Sequence, residues 1–149
     1  MQSADNTGVS GNATTTTGYS SGVWTHACGV VSSNTSRTSY INGGSSGTDS
    51  TNIPVAPTIQ ASIGNQRFSS FPSGASFATG LIAEVGIWNA ALTADEIASL
   101  AKGMTCDKIR PQNLVFYSPL VRDLIDARGG RAITNNNGAT VANHPRIYP

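Results

Sequence analysis

Apolar residues in this chain recur mostly at every second position, in short runs separated by Ser, Thr, Asn and Gly. In residues 22–31, "GVWTHACGVV", Trp24, His26, Cys28 and Val30 share one side of an extended chain. Thr25, Ala27, Gly29 and Val31 share the other, so both sides carry apolar residues and a central strand covered on each face is predicted. "RTSYINGG" follows. Arg37 to Ile41, with Tyr40, reads as a strand, and Asn42-Gly43 predicts a type I′ hairpin turn because both residues tolerate positive φ. The return arm over 45–55 is polar and reaches Pro54, which places it at an edge. Ile59, Ala61 and Ile63 alternate in "PTIQASIGNQ", and a Ser- and Gly-rich loop with Phe68, Phe71 and Phe77 comes next.

Residues 81–88 alternate again, with Leu81, Ala83, Val85 and Ile87 opposite Ile82, Glu84, Gly86 and Trp88. The period then changes. "LTADEIASLAKG" has Thr93 as N-cap and Glu96 three residues on, a capping box. Leu92 and Ile97 sit where a hydrophobic staple forms, and Gly103 suits the left-handed position after the last turn. A helix near 94–102 is too short to stand alone in water, so it must dock through Ile97 and Leu100. "LVFYSPLVRDL" predicts one more strand with Leu114, Phe116 and Leu120 inward, and a short strand is expected around Ala132 to Thr134. Seven or eight short strands without βαβ alternation predict an all-β, antiparallel β-sandwich with one short helix. Three stretches follow: weakly patterned residues 1–20, a sandwich core over 21–103, and a strand-and-tail segment over 104–149 that packs on the same domain.

Composition agrees with this picture. Of 149 residues, 38% are hydrophobic and only 11% charged, so the solvent faces of long helices are missing. A formal net charge of +1 leaves no electrostatic footprint for nucleic acid. Lys108, Arg110, Arg122, Arg128, Arg131 and Arg146 are spread out, as on a solvated face. No apolar run approaches a membrane span, and "MQSADNTGVSG" has no signal-peptide pattern. Cys28 and Cys106 are too few for a disulfide scaffold or a Cys-based zinc site; buried thiols are the expected reading, with a pair as the alternative. Asn12 and Asn34 begin glycosylation-type triplets of the kind a chain so rich in Asn and Thr produces by chance.

Candidate chemistry is sparse. Retaining glycoside hydrolysis needs two carboxyls roughly 5–5.5 Å apart. The close acid pairs are Asp95–Glu96, in the first turn of a helix, and Asp123–Asp126, flanking a turn, while Glu84 has no acidic partner at i+2 or i+4. His26 lies within the predicted strand and His144 precedes Pro145, which suits neither a nucleophilic triad nor zinc. A non-enzymatic role is the expectation.

With these residues in view, the chain resembles the laminin-G-like, concanavalin A-like lectin/glucanase superfamily. "GVWTHACGVV" is similar to its tryptophan–histidine strand, "RTSYINGG" to its tyrosine–asparagine–glycine hairpin, and "GLIAEVGIWNAALTADEIASLAKG" to its strand–tryptophan–helix closing segment. The pieces run in the family's order over residues 21–103. The resemblance implies a jelly-roll sandwich in which Trp24, His26, Tyr40, Asn42, Gly43, Trp88, Thr93, Glu96 and Gly103 are structural. It implies a module that binds glycan or cell-surface polysaccharide through rim loops, with Asn42, Asp49, Asn65, Arg67, Phe68 and Phe71 as ligand-facing residues. Calcium at such a rim would fall to Asp49 with Asn52 or Asp5 with Asn6; neither forms a dense acidic loop, so no cofactor is expected. The trailing segment resembles bacteriophage and environmental sequences. That implies an extracellular or virion-surface location and, as the alternative role, virion assembly or self-association through sheet edges. Relatives carry several strands before the tryptophan–histidine strand, so residues 114–133 are expected to fold back over an edge that would otherwise stay open.

Overall fold

The structure is a computed structural model that describes residues 2–4, 10–54, 62–64, 77–135 and 138–145, the first of these by backbone alone. In chain order the elements are β1 (Gln2–Ala4), β2 (Ser10–Asn12), β3 (Ala27–Ser33), β4 (Ser36–Ile41), β5 (Ser45–Asp49), β6 (Val85–Trp88), α1 (Ala94–Ala101) and β7 (Leu114–Ser118). Two 3₁₀ turns, Cys106–Lys108 and Pro111–Asn113, link α1 to β7. Sheets form from β1–β2, β3–β4–β5 and β6–β7, and all pairings are antiparallel. The fold is the expected antiparallel β-sandwich with one helix.

The hairpin turns where the sequence predicts. Asn42 and Gly43 have φ of 52° and 75°, and the Gly44 N–H donates to the Ile41 carbonyl at 3.2 Å. Ile41 pairs with Ser45, so Gly44 is one residue more than a two-residue loop contains. The helix is capped as its sequence requires. Thr93 accepts from the Glu96 N–H, and the Thr93 N–H donates to Glu96 Oε2 at 2.7 Å. Leu92 and Ile97 are both buried, and Gly103 has φ of 98°.

Between the layers, Leu92, Ile97 and Ile109 form a core against Cys28, Val30 and Tyr40 of the three-stranded sheet. Cys106, Leu114 and Tyr117 form a second cluster, and Trp88 and Leu100 touch both. The Trp88 indole N–H donates to the Ile109 carbonyl at 2.8 Å, which satisfies the one polar group of a largely buried ring.

Three strand expectations need correction. β3 begins at Ala27, so Trp24 and His26 precede it, and Trp24 is 45% exposed. Among the described residues β3 is an edge; the central strand is β4. β4 is covered on both faces, but its outer face is polar. Arg37 and Ser39 are buried there, beneath residues 11–17 and 51–53. Ser39 Oγ donates to the Ala13 carbonyl at 2.8 Å, and Gly47 lies so close to the Thr14 carbonyl that a Cβ would not fit. Residues 11–17 of the weakly patterned N-terminal segment are thus a covering layer held by hydrogen bonds. β6 starts only at Val85, because Glu84 has φ of 55° and breaks the extended run; Leu81 and Ile82 are exposed.

After β7 the expected short strand reduces to one bridge, Ile125 with Ala132. In β7, Leu114 and Tyr117 are buried while Phe116 and Leu120 are half-buried. Of the alternating run at 57–66 only Ile63 and Gly64 are described; Ile59 and Ala61 lie outside the described residues.

The tail is anchored by Asp126, which is buried. Its Oδ1 accepts the N–H groups of Tyr117, Arg128 and Gly129 at 3.0–3.1 Å, and Oδ2 accepts that of Arg131 at 3.2 Å. Burial alone would push this carboxyl up, but those four N–H donors hold it well below the usual carboxylate range. Arg128 and Arg131 are exposed, as expected, while donating to the Leu114 and Val115 carbonyls, and so clamp the tail to β7. Arg110 is likewise committed, as a fork onto Glu96 at 2.8 and 2.9 Å. A carboxyl with a depressed folded value contributes stability above its unfolded value of about 3.9 and loses it as pH falls below that. Asp126→Asn should therefore be clearly less stable than wild type at pH 7 in urea unfolding. The gap should narrow progressively below about pH 4.

Candidate functional site

A groove of about 1580 Å³ runs between β3 and the segment leading into β6. Trp24, Cys28, Val30, Leu81, Ile82 and Trp88 are among its lining residues. Among the described residues β3 and β6 each pair with one strand only. His26 lines the groove, and its buried Nδ1 has no hydrogen-bond partner among the described residues. Burial lowers the His26 pKa, so its ring is neutral at pH 7 and can offer either a donor or an acceptor.

Asn42 lines the groove and is also bonded to the backbone of His26. Its Oδ1 accepts the His26 N–H at 3.1 Å and its own N–H donates to the His26 carbonyl at 2.9 Å, closing the end of β3 against the hairpin. Asp49 lies at the far end of that hairpin, opposite Arg37 in the register. Its Oδ1 accepts from Thr51 Oγ1 at 2.8 Å, and its Oδ2 is buried against Gly11. The fold therefore separates Asn42 from Asp49 by the length of β5. Asn65, Arg67, Phe68 and Phe71 lie outside the described residues, as do Asp5 and Asn6. Asn52 is exposed, and no group of three His, Cys, Asp or Glu side chains is poised for a metal among the described residues.

Beside the groove, three residues far apart in sequence meet. The Tyr117 hydroxyl donates to Glu84 Oε2 at 2.8 Å, and His144 Nε2 lies 3.2 Å from Glu84 Oε1. Cys106 Sγ approaches the Glu84 carbonyl at 3.6 Å. Burial first, then the charges of Glu84 and Asp107, push the Cys106 thiol up to about 12. Burial and the Glu84 hydrogen bond push the Tyr117 hydroxyl up as well. Both cysteines are free thiols, and burial raises Cys28 too, so neither is a reactive thiolate at neutral pH. Sequence reading sees no such cluster, because Glu84, Tyr117 and His144 share no spacing that any local pattern reports.

No curated protein matches this chain. Among solved structures it is similar to an S-layer domain-containing protein (residues 221–444) from Clostridium thermocellum, with 29% identity and a TM-score of 0.47. The likeness covers 62% of this chain and 44% of that one, so the chain spans less than half of the solved structure it matches. No helix among the described residues is long and apolar enough to cross a membrane. The Laminin_G_3 family of the concanavalin A-like lectin/glucanases superfamily matches residues 1–98, taking in the covering N-terminal layer, the hairpin, and β6 with most of α1. With about two thirds of its length matched and an antiparallel sandwich to go with it, the chain belongs to the laminin-G-like, concanavalin A-like lectin/glucanase superfamily.

Proposed function

We propose that this chain is a non-enzymatic binding module whose ligand is a carbohydrate, displayed outside the cell or on a virion surface. The observation that carries this reading is Trp24, which is 45% exposed and lines the groove. A sugar ring presents an apolar C–H face that an exposed indole can cover, while its hydroxyls need a few fixed polar partners. His26 supplies one, with a buried ring nitrogen that no group among the described residues satisfies. Two acids that sequence pairs suggest for hydrolysis are engaged elsewhere, Glu96 with Arg110 and Asp126 with backbone N–H groups, which supports a binding role.

A glycan array that includes bacterial surface polysaccharides is the test, followed by calorimetry on any hit. Trp24→Ala should weaken binding about tenfold, the effect of losing roughly 1.5 kcal/mol of ring contact, with an unchanged circular dichroism spectrum. An array without hits overturns the proposal. A second reading, assembly with virion proteins or with itself, draws on the uncharged β3 edge, since unprotected edges accept added strands. A stable oligomer without sugar affinity would favour it.

A further inference from the structure

We propose that the binding site extends from Trp24 across the start of β3 to Tyr19, and that its ligand is an internal stretch of a neutral, linear polysaccharide rather than a single terminal sugar. This extended site rests on the carbohydrate reading of the groove, to which it adds a second ring contact.

Residues 19–24, "YSSGVW", enclose a tight turn. The Val23 N–H donates to the Ser20 carbonyl at 3.4 Å, and Gly22 takes φ of 77°. Tyr19 is 80% exposed and Val23 64%, with Trp24 beside them. An apolar side chain exposed singly is ordinary, but three within six positions make a patch.

Tyr19 also lines a second cavity, a trough of about 600 Å³ on the outer face of β3 and β4. Small-molecule sites are of this size, roughly 300–1,000 Å³. Ser39 is buried beneath residues 11–17, but its pairing partner Gly29 is exposed, as is Ala27. The covering layer therefore stops short of β3, and the small residues Ala27 and Gly29 leave the space unfilled. Asn12 and Thr14, both exposed, offer polar side chains along it. Tyr19, Ala27, Cys28, Gly29 and Ile41 line trough and groove alike, so the two cavities meet at the start of β3.

Charge selects the ligand. Among the described residues no charged side chain lines the trough, and Glu84 and Lys102 are the two that line the groove. Glu84 already accepts the Tyr117 hydroxyl. An acidic polysaccharide would give up hydration with one lysine to replace it, whereas a neutral chain needs ring faces and hydroxyl partners. Tyr19 and Trp24 are five residues apart, so their Cα atoms lie within about 18 Å and one oligosaccharide can touch both rings. Two contacts on one chain reinforce each other through effective concentration, and affinity should rise with chain length.

Affinity electrophoresis of the full chain tests the charge, in native gels carrying a neutral polymer (a β-glucan or a mannan) or an acidic one (alginate or heparin). Calorimetry then compares the monosaccharide of the retarding polymer with its chain of about six units. We expect retardation by a neutral polymer and at least tenfold tighter binding of the longer chain. Tyr19→Ala should erase that gain, keep the monosaccharide affinity and leave the circular dichroism spectrum unchanged. Equal affinity for monosaccharide and chain, a length gain that survives Tyr19→Ala, or retardation by acidic polymers alone would overturn the extended site and leave the binding module standing. Absence of binding to any sugar would overturn both. An oligomer that Tyr19→Ala dissociates, without sugar affinity, would assign the turn to a second copy of the chain instead.

Discussion

Deleting residues 104–149 is expected to abolish cooperative folding, leaving a chain that shows no sigmoidal urea transition. β6 loses β7, the strand it pairs with, and becomes an open edge. The buried apolar residues of the described structure are Ala13, Ile53, Leu92, Ile97, Cys106, Ile109, Leu114 and Tyr117, and the deletion removes the last four. At roughly 1.5–3 kcal/mol for each large buried side chain, that loss is comparable with the roughly 5–15 kcal/mol that holds a domain folded. Two polar anchors go as well, the Ile109 carbonyl that accepts from Trp88 and the Arg110 fork on Glu96. Trp88 fluorescence and circular dichroism followed through urea give the measurement. A truncated chain that melts at the wild-type midpoint would show that the first 103 residues close a core by themselves.

The second large effect is expected at Arg37. Its guanidinium is 2% exposed and donates to three carbonyls, those of Asn34 and Thr51 through Nη1 and that of Ile53 through Nη2, at 2.6–2.9 Å. It ties residues 51–53 across the outer face of β4. Arg37→Met keeps much of the side chain's bulk but takes the guanidinium from the carbonyls of half-buried Thr51 and buried Ile53. Each loss costs about 1–3 kcal/mol, while the Asn34 carbonyl keeps the Ile53 N–H. A loss of roughly 3–5 kcal/mol in chemical denaturation is expected, enough to leave the protein close to unfolding at 25 °C. Arg37→Lys keeps the charge but not the fork, and should fall between the two. A Met variant within about 0.5 kcal/mol of wild type would mean that water satisfies those carbonyls.

The elements with local chemical signatures were legible in the sequence: the Asn42-Gly43 turn, the Thr93–Glu96 capping box, the Leu92–Ile97 staple and the β7 strand. Each is written within a few residues and needs no distant partner. What stayed hidden depends on partners far away in the chain. Hydrophobic alternation places Trp24 and His26 in a strand, but pairing with β4 starts at Ala27, and Trp24 stands free at the groove. The same counting overlooks the covered outer face of β4, because Arg37 and Ser39 are buried through hydrogen bonds rather than apolar contact. Arg110, Arg128 and Arg131 read as solvated charge, and Arg128 and Arg131 are indeed exposed, but the carbonyls and carboxylates they also reach lie beyond any local pattern. Of the six expected ligand residues, Asn42 lines the groove while bonding the His26 backbone, Asp49 holds Thr51, and the other four lie outside the described residues.

The hairpin tip has a consequence for anyone adapting this scaffold. A Cβ on Gly43 would meet Ala98 Cα at 2.8 Å and Ala101 Cβ at 2.9 Å, so the turn rests directly on the helix. Hairpin tips are the customary place to graft a foreign peptide, and here that place is shut: an epitope spliced at 42–44 would lever α1 off the core. Gly18 is exposed with open space around it, and offers the port that the hairpin denies.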